Sequence, residues 1–510
     1  MNSAHPWIRT RLSIMMFLEF FLWASWLAPI GGYMTKTLHL TGSQVGWVFS
    51  ATALAAIISP LFVGFIADRL FATERVLCVL HLIGGTCLCL SATQMNFPGL
   101  MTAMMANALC FMPTLALGNS LAFRNIPDPD KFPRIAVLGT IGWIVSGWIV
   151  GLVLGGTQNT FFYLAGGTAF VQAVYCLTLP HTPPKGRDQS GGDVLGLGAL
   201  RLLKEPSFLT FVLCAFLIAI PSTFYFVAVN PFLEETERPV PTTLMTLAQF
   251  SEIFVMFTMP FFIGRLGLRT ILLLGMAAWA IRYALFATLS FPLVLVGLLV
   301  HGFCYCFVFV GAYIYVDKRA PRDFRASAQS FIAFLMLGVG WFLGSQLAGY
   351  AMDQYPALAA TMSATDKDGK VVDDAPLPRW SPEATEAEEG DIGKLLDKDG
   401  NGRIAPEELK SIPDDGLKSA NYTYAKKDLL NVLQVIQQGV DREQATKKGA
   451  AKEPGIARAD WVAAQAHQWP LFWWWPAGAA AIIAVVFFLG PRGKEVASAD
   501  APEEPAAKSE

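Results

Sequence analysis

The chain has 510 residues, of which 54% are hydrophobic and only 15% charged, and its formal net charge is −2. This composition excludes an ordinary soluble globular protein, and its lack of a basic surplus gives no reason to expect a nucleic-acid partner. No P-loop, nucleophile–base constellation or catalytic metal motif is present, so an enzyme is not expected.

The apolar residues come in repeated runs of about 20, the length that crosses a hydrocarbon core while each helix satisfies its own backbone. Twelve spans are predicted near residues 11–34, 43–67, 75–95, 99–122, 135–155, 160–180, 207–229, 242–263, 270–289, 291–316, 325–352 and 470–489. Arg9 and Arg11 precede the first run and no small-residue cleavage site follows, so that run reads as a span and not a removed signal. Lys and Arg crowd into the loops after even-numbered spans, as in Arg69 and Arg75, Arg124 and Arg134, Arg265 and Arg269, Lys318 and Arg319. The opposite loops are nearly bare. By the positive-inside rule both termini are cytoplasmic and the loop before the last span is external, as expected for a multi-pass protein of the cytoplasmic (inner) membrane. All eight cysteines lie in apolar runs, so no disulfide framework or CxxC pair is expected.

Two halves are legible. Asp68-Arg69 after the second span and Gly264-Arg265 after the eighth are charged Gly-bearing turns at equivalent places. A Gly- and Pro-rich cytoplasmic linker (181–206) divides a six-helix half (1–180) from spans seven to eleven (207–352), which a polar insertion (353–468), the last span (469–490) and an acidic tail (491–510) follow. This is an all-α membrane protein of twelve transmembrane helices in two six-helix halves, the architecture of major-facilitator transporters, which hold their substrate near the midplane. Asp68 and Arg69 are the gating candidates; the alternative is a loop that only obeys the charge rule.

Ionisable groups inside spans are few, and such groups face a cavity or a partner. Glu252 lies near the middle of the eighth span, with Gln249 three residues earlier on the same helical face. Glu19 in the first span is a second carboxylate, placed to face Glu252 across a central cavity. Arg282 is the counter-charge candidate, or a snorkelling residue. His81 and His301 read first as satisfied helix contacts. Trp23, Trp26, Trp143 and Trp148 offer flat faces to an aromatic or sugar-like solute, or simply pack.

The insertion carries DKDGNGRIAPEE. Asp397, Asp399 and Asn401 occupy positions 1, 3 and 5 of a twelve-residue loop, Gly402 position 6, the Arg403 carbonyl position 7 and Glu408 position 12. This is the ligand register of an EF-hand calcium loop, so Ca²⁺ is the expected ion. The segment around Gly455–Trp461 resembles the exit of a degenerate second loop. Without calcium the insertion is expected to lack an apolar core of its own.

The motifs FLEFFLWASWLAPIGGYM, LFVGFIADR, FPRIAVLGTIGW, NPFL, QFSEIFVMFTMPFF and AIRYALFA together resemble the nucleoside:H⁺ symporters of the major facilitator superfamily, outside the insertion and tail. The resemblance implies uptake of nucleosides by proton symport. It assigns Gln249, Glu252, Thr140, Trp143 and Thr223 to substrate binding, with Glu252 or Glu19 carrying the proton. Two positions depart from the family pattern: Ala136 stands where an Arg is expected, and Cys306 where an Asp is expected. A calcium-responsive sensor or an uncoupled facilitator on the same fold are the alternatives. Expected partners are a nucleoside-like solute, protons and lipid, acting on a monomer.

Overall fold

The computed structural model describes residues 6–69, 71–126, 132–156, 158–184, 197–321, 325–359, 361–378, 380–381, 391–419, 421–446 and 455–491. They form two compact units. One contains the chain to Pro231, Pro239–Asp353 and the residues from Trp473 onward, and the other contains Phe232–Arg238 and Gln354–Phe472.

The first unit is helical because its segments are apolar on all sides and interrupted by little except charged loops. Its helices are α1 (Pro6–Leu27), α2 (Gly42–Arg69), α3 (Thr73–Ser91), α4 (Phe97–Asn125), α5 (Pro133–Trp148), α6 (Thr160–Cys176), α7 (Pro206–Glu235), α8 (Leu247–Leu266) and α9 (Leu268–Ala287). Then come α10 (Phe291–Arg319), α11 (Ser327–Gln354) and, after the second unit, α12 (Trp469–Leu489). Eleven stretches among the described residues are long and apolar enough to cross a membrane. The expected span at 160–180 is a helix of only 17 residues, α6, and is not among them.

Proline and π-turns mark where the ladder is interrupted. Pro221 sits inside α7, and its carbonyl is taken up by the Tyr283 hydroxyl of α9 at 2.6 Å. π-Helical turns at Cys306–Val310 in α10 and Phe334–Gly340 in α11 directly follow Tyr305 and precede Trp341. Arg269 at the start of α9 donates to the carbonyls of Phe487, Gly490 and Pro491, closing the C-terminus of α12.

The two six-helix sets meet at one end. Asp353 at the end of α11 accepts from the backbone N–H of Gly42 (2.6 Å) and Ser43 (2.9 Å), capping α2. The Asn230 side chain of α7 accepts from Gly32 N–H at 2.7 Å, and Trp148 Nε1 donates to Thr246 Oγ1 at 3.2 Å. The backbones touch where side chains are absent: a Cβ on Gly349 would collide with the Gly42 backbone, and one on Gly46 with the Ser345 carbonyl.

The second unit corrects the all-α expectation. It contains an antiparallel sheet, in the order β2 (Val371–Pro376), β1 (Thr361–Asp366), β5 (Tyr422–Tyr424) and β4 (Leu417–Lys418), and a two-stranded pair of β3 (Arg403–Ile404) with β6 (Ile456–Ala457). It also has its own apolar core, including Trp380, Ile392, Leu396, Ile404, Leu433, Ile456 and Trp461. The expectation that the insertion lacks a core fails because its apolar residues are spread thinly among charges, on helix 426–446 and strands, and converge only in three dimensions.

Gly349→Leu is expected to hold the α2–α11 ends apart. Uptake should fall at least about tenfold while expression and gel-filtration behaviour are retained; transport at the wild-type rate would show that this contact is dispensable.

Candidate functional site

A cavity of about 90 Å³ lies within the first unit, walled by both helix sets. The first set contributes Phe20, Trp23 and Leu27 from α1 and Thr140 and Trp143 from α5. The second contributes Phe226, Gln249, Glu252, His301, Tyr305 and Trp341. Trp23 meets Trp143 edge-on at 5.5 Å between centroids, Phe226 packs on Trp341 at 5.0 Å, and His301 stacks along Tyr305 at 5.8 Å.

The polar atoms in this wall are under-satisfied. Gln249 Oε1, Trp23 Nε1 and Trp341 Nε1 are buried without hydrogen-bond partners. The Glu252 carboxyl takes no hydrogen bond or ion pair among the described residues, although its backbone carbonyl is 3.7 Å from Cys306 Sγ. Buried polar groups are normally paired, so an aromatic box with spare donors and acceptors is complementary to a solute that has rings and hydroxyls.

The structure therefore brings Gln249, Glu252, Thr140 and Trp143 together in one cavity wall. Thr223 does not line the cavity: it is buried, donates to the Ala219 carbonyl at 3.0 Å and packs against Gly344. Glu19 does not line it either. Its carboxylate is enclosed within the first helix set, 3.1 Å from His81 Nε2, and accepts from Thr114 Oγ1 at 2.5 Å and Gln172 Nε2 at 3.3 Å. On a helix, residues 19 and 20 point about 100° apart, and Phe20 takes the cavity-facing place. Ala136 is half-buried and Cys306 buried, and neither lines the cavity. The side chains of the gating candidates Asp68 and Arg69 lie outside the described residues.

Sequence reasoning missed Phe20, Phe226, Tyr305 and Trp341 as wall residues and read His301 first as a satisfied helix contact. The i, i+4 pair His301 and Tyr305 on α10 was the available signal. Arg282, a proposed counter-charge, pairs with no carboxylate among the described residues. It donates to His301 Nδ1 at 2.6 Å and lies 3.6 Å over the Tyr225 ring.

In the second unit, carboxylate oxygens of Asp397, Asp399 and Glu408 lie within 4.8 Å of one another. Asp397 Oδ2 accepts from Gly402 N–H (2.9 Å), and both Glu408 oxygens accept from loop amides, of Lys398 (3.0 Å) and Ala405 (2.8 Å). Gly400 and Gly402 have φ of 69° and 76°, the left-handed turn that glycine permits. Burial pushes the Asp397 carboxyl above its ordinary value; the Gly402 and Asn401 amides oppose this and nearby Asp399 reinforces it. Ile404 of this loop pairs with Ile456 across the β3–β6 ladder.

Two sets of helices around a cavity, most of them long and apolar enough to cross a membrane, have the architecture of a membrane carrier of the major facilitator type. In agreement, a bacterial homologue of the lysosomal transporter Spinster superposes with a TM-score of 0.59 at 14% identity, over 96% of this chain and 97% of that one. The sequence profile described as "Nucleoside H+ symporter" matches residues 7–365, and the chain belongs to that family. It is a multi-pass membrane transporter and not an enzyme. It is 42% identical to YegT of Escherichia coli (strain K12) over 68% of this chain and 84% of that protein, and 35% identical to the xanthosine permease of the same strain over 68% and 88%. The crystal structure of the nucleoside transporter NupG superposes with a TM-score of 0.64 at 28% identity, covering 68% and 91%.

Glu19→Ala would leave Thr114 and Gln172 without the acceptor they share and remove the carboxylate beside His81. We expect a loss of about 3 kcal/mol of stability, seen as a lower melting temperature in detergent, with ligand affinity within about twofold of wild type. A large loss of affinity at unchanged stability would place Glu19 in the binding site after all.

Proposed function

We propose that the protein takes up nucleosides by proton symport through the central cavity. The observation that carries this reading is the set of unpaired polar atoms, Gln249 Oε1, Trp23 Nε1 and Trp341 Nε1, in one aromatic box beside the free carboxyl of Glu252. Gln249 and Glu252, stacked on one face of α8, accept from ribose hydroxyls, and the aromatic walls stack the base. Glu252 takes the proton from one side and releases it to the other, because it is the carboxyl that both solvent and solute can reach. Glu19 braces the first half. The family relatives named for xanthosine and nucleosides support the solute class.

On this reading all twelve helices cross the membrane, α6 included, with both termini cytoplasmic and the insertion outside. The contacts joining α2 to α11, α1 to α7 and α5 to α8 then lie at the outer end, and the structure is the inward-facing partner of an alternating pair. Ala136 and Cys306 favour the second reading, an uncoupled facilitator.

We further propose that Asp397, Asp399, Asn401, the Arg403 carbonyl and Glu408 bind one Ca²⁺. The converging carboxylates support this, and so does the unpaired buried Asp397 Oδ1.

Glu252→Gln should abolish concentrative uptake of radiolabelled uridine or adenosine and leave folding intact, and a protonophore should do the same to wild type. Uptake insensitive to both treatments would favour the facilitator. Calorimetry on the full chain should register calcium binding in the roughly 10⁻⁴–10⁻³ M range of external modules. Identical heats for wild type and Glu408→Gln would end the calcium proposal.

A further inference from the structure

Arg282 is a cation buried in a ring of aromatic faces: Tyr225 at 3.6 Å, Phe286 at 5.3 Å and Trp279 at 5.4 Å. Its side chain is inaccessible to solvent, and among the described residues no carboxylate neutralises it. Among the described residues it donates a hydrogen bond to His301 Nδ1, at 2.6 Å. A guanidinium has no lone pair to offer, so it can only donate. The Nδ1 of His301 must therefore be the acceptor, and the ring must be neutral with its proton on Nε2. Nε2 has no hydrogen bond among the described residues, and the ring lines the cavity. Tyr225 and Tyr305 stack against the ring, at interplanar angles of 32° and 22°, and fix its plane.

The cavity is thus polarised. Its acceptors, Gln249 Oε1 and Glu252, stand together on α8, where hydroxyl groups can donate to them. Its donors, the indoles of Trp23 and Trp341 and the imidazole of His301, stand among the aromatic faces where a flat base would lie.

We propose that Arg282 is a positioning residue that locks His301 as a one-way hydrogen-bond donor, and that His301 thereby selects nucleosides whose base presents a carbonyl over those that present an amino group. This rests on the nucleoside reading above. A carbonyl accepts from Nε2–H. An exocyclic amino group meets it donor to donor and leaves two buried donors unpaired, a mismatch that costs more than a missing contact.

The test is displacement of bound radiolabelled uridine from the full chain in lipid nanodiscs by uridine, cytidine, inosine and adenosine. Wild type should prefer uridine over cytidine, and inosine over adenosine, by about tenfold. Arg282→Met frees the imidazole to carry its proton on either nitrogen, and both ratios should fall to within about twofold of unity. Arg282→Lys supplies another donor-only cation and should keep them. His301→Phe keeps the stacked ring, loses the donor and should lose the ratios too, which preserves the test should Arg282→Met fail to fold. Unchanged ratios in Arg282→Met or His301→Phe, or no carbonyl preference in wild type, would overturn the inference while leaving nucleoside transport intact. A wild type that binds none of the four would instead overturn the nucleoside reading, and the inference with it.

Discussion

Inside a hydrocarbon slab no water is present to satisfy a backbone amide or a polar side chain, so every partner must come from the protein itself. Most features of the membrane unit follow from that constraint. The spans are helices, the carbonyl at Pro221 is taken up by a tyrosine, and Arg269 gathers the last carbonyls of α12. Where helices must lie close, as at Gly349 over Gly42, side chains are absent and backbones touch. Three buried side-chain atoms without partners, Gln249 Oε1, Trp23 Nε1 and Trp341 Nε1, belong to residues that line the cavity between the halves, where a solute would complete their pairing.

The same constraint separates two carboxylates of the membrane unit, Glu19 and Glu252. Glu19 has a histidine, a threonine and an amide around it and needs nothing further. Glu252 has none of these and faces open space. Two acidic residues with similar apolar neighbours in sequence thus have different chemistry, and the difference lies in partners contributed by α3, α4 and α6.

This explains how much could be read from the sequence. The spans were legible because hydrophobic length is a one-dimensional property, and the pairing of Gln249 with Glu252 was legible because it is local to one helix. Trp143 and Thr140 were assigned by the family resemblance and not by spacing. The Glu19–His81 contact was not legible, because it joins residues on separate helices; nor were Phe226, Trp341 and Tyr305, which are common apolar residues until packing gives them a cavity. Thr223 was assigned to the cavity by resemblance, but its hydroxyl turns back to its own helix. The sheet of the second unit was hidden for another reason: its strands have two to six residues, too short for alternation to show.

The second unit is closed at its base. Gln468 N–H donates to the Tyr355 carbonyl at 3.0 Å, and its side chain donates to the Pro356 carbonyl, 112 positions away. Glu235 at the end of α7 accepts from the Trp469 indole and from the His467 backbone. The polypeptide therefore departs and returns at nearly one point, as it would in a tight turn. Everything beyond that knot can be lengthened, replaced or removed without re-threading the carrier, because the entropy of closing the excursion is met by bonds the excursion itself makes. The family profile stops at residue 365, just past the knot. A segment tied off in this way can differ in length between related chains while the helices before and after it keep their sequence.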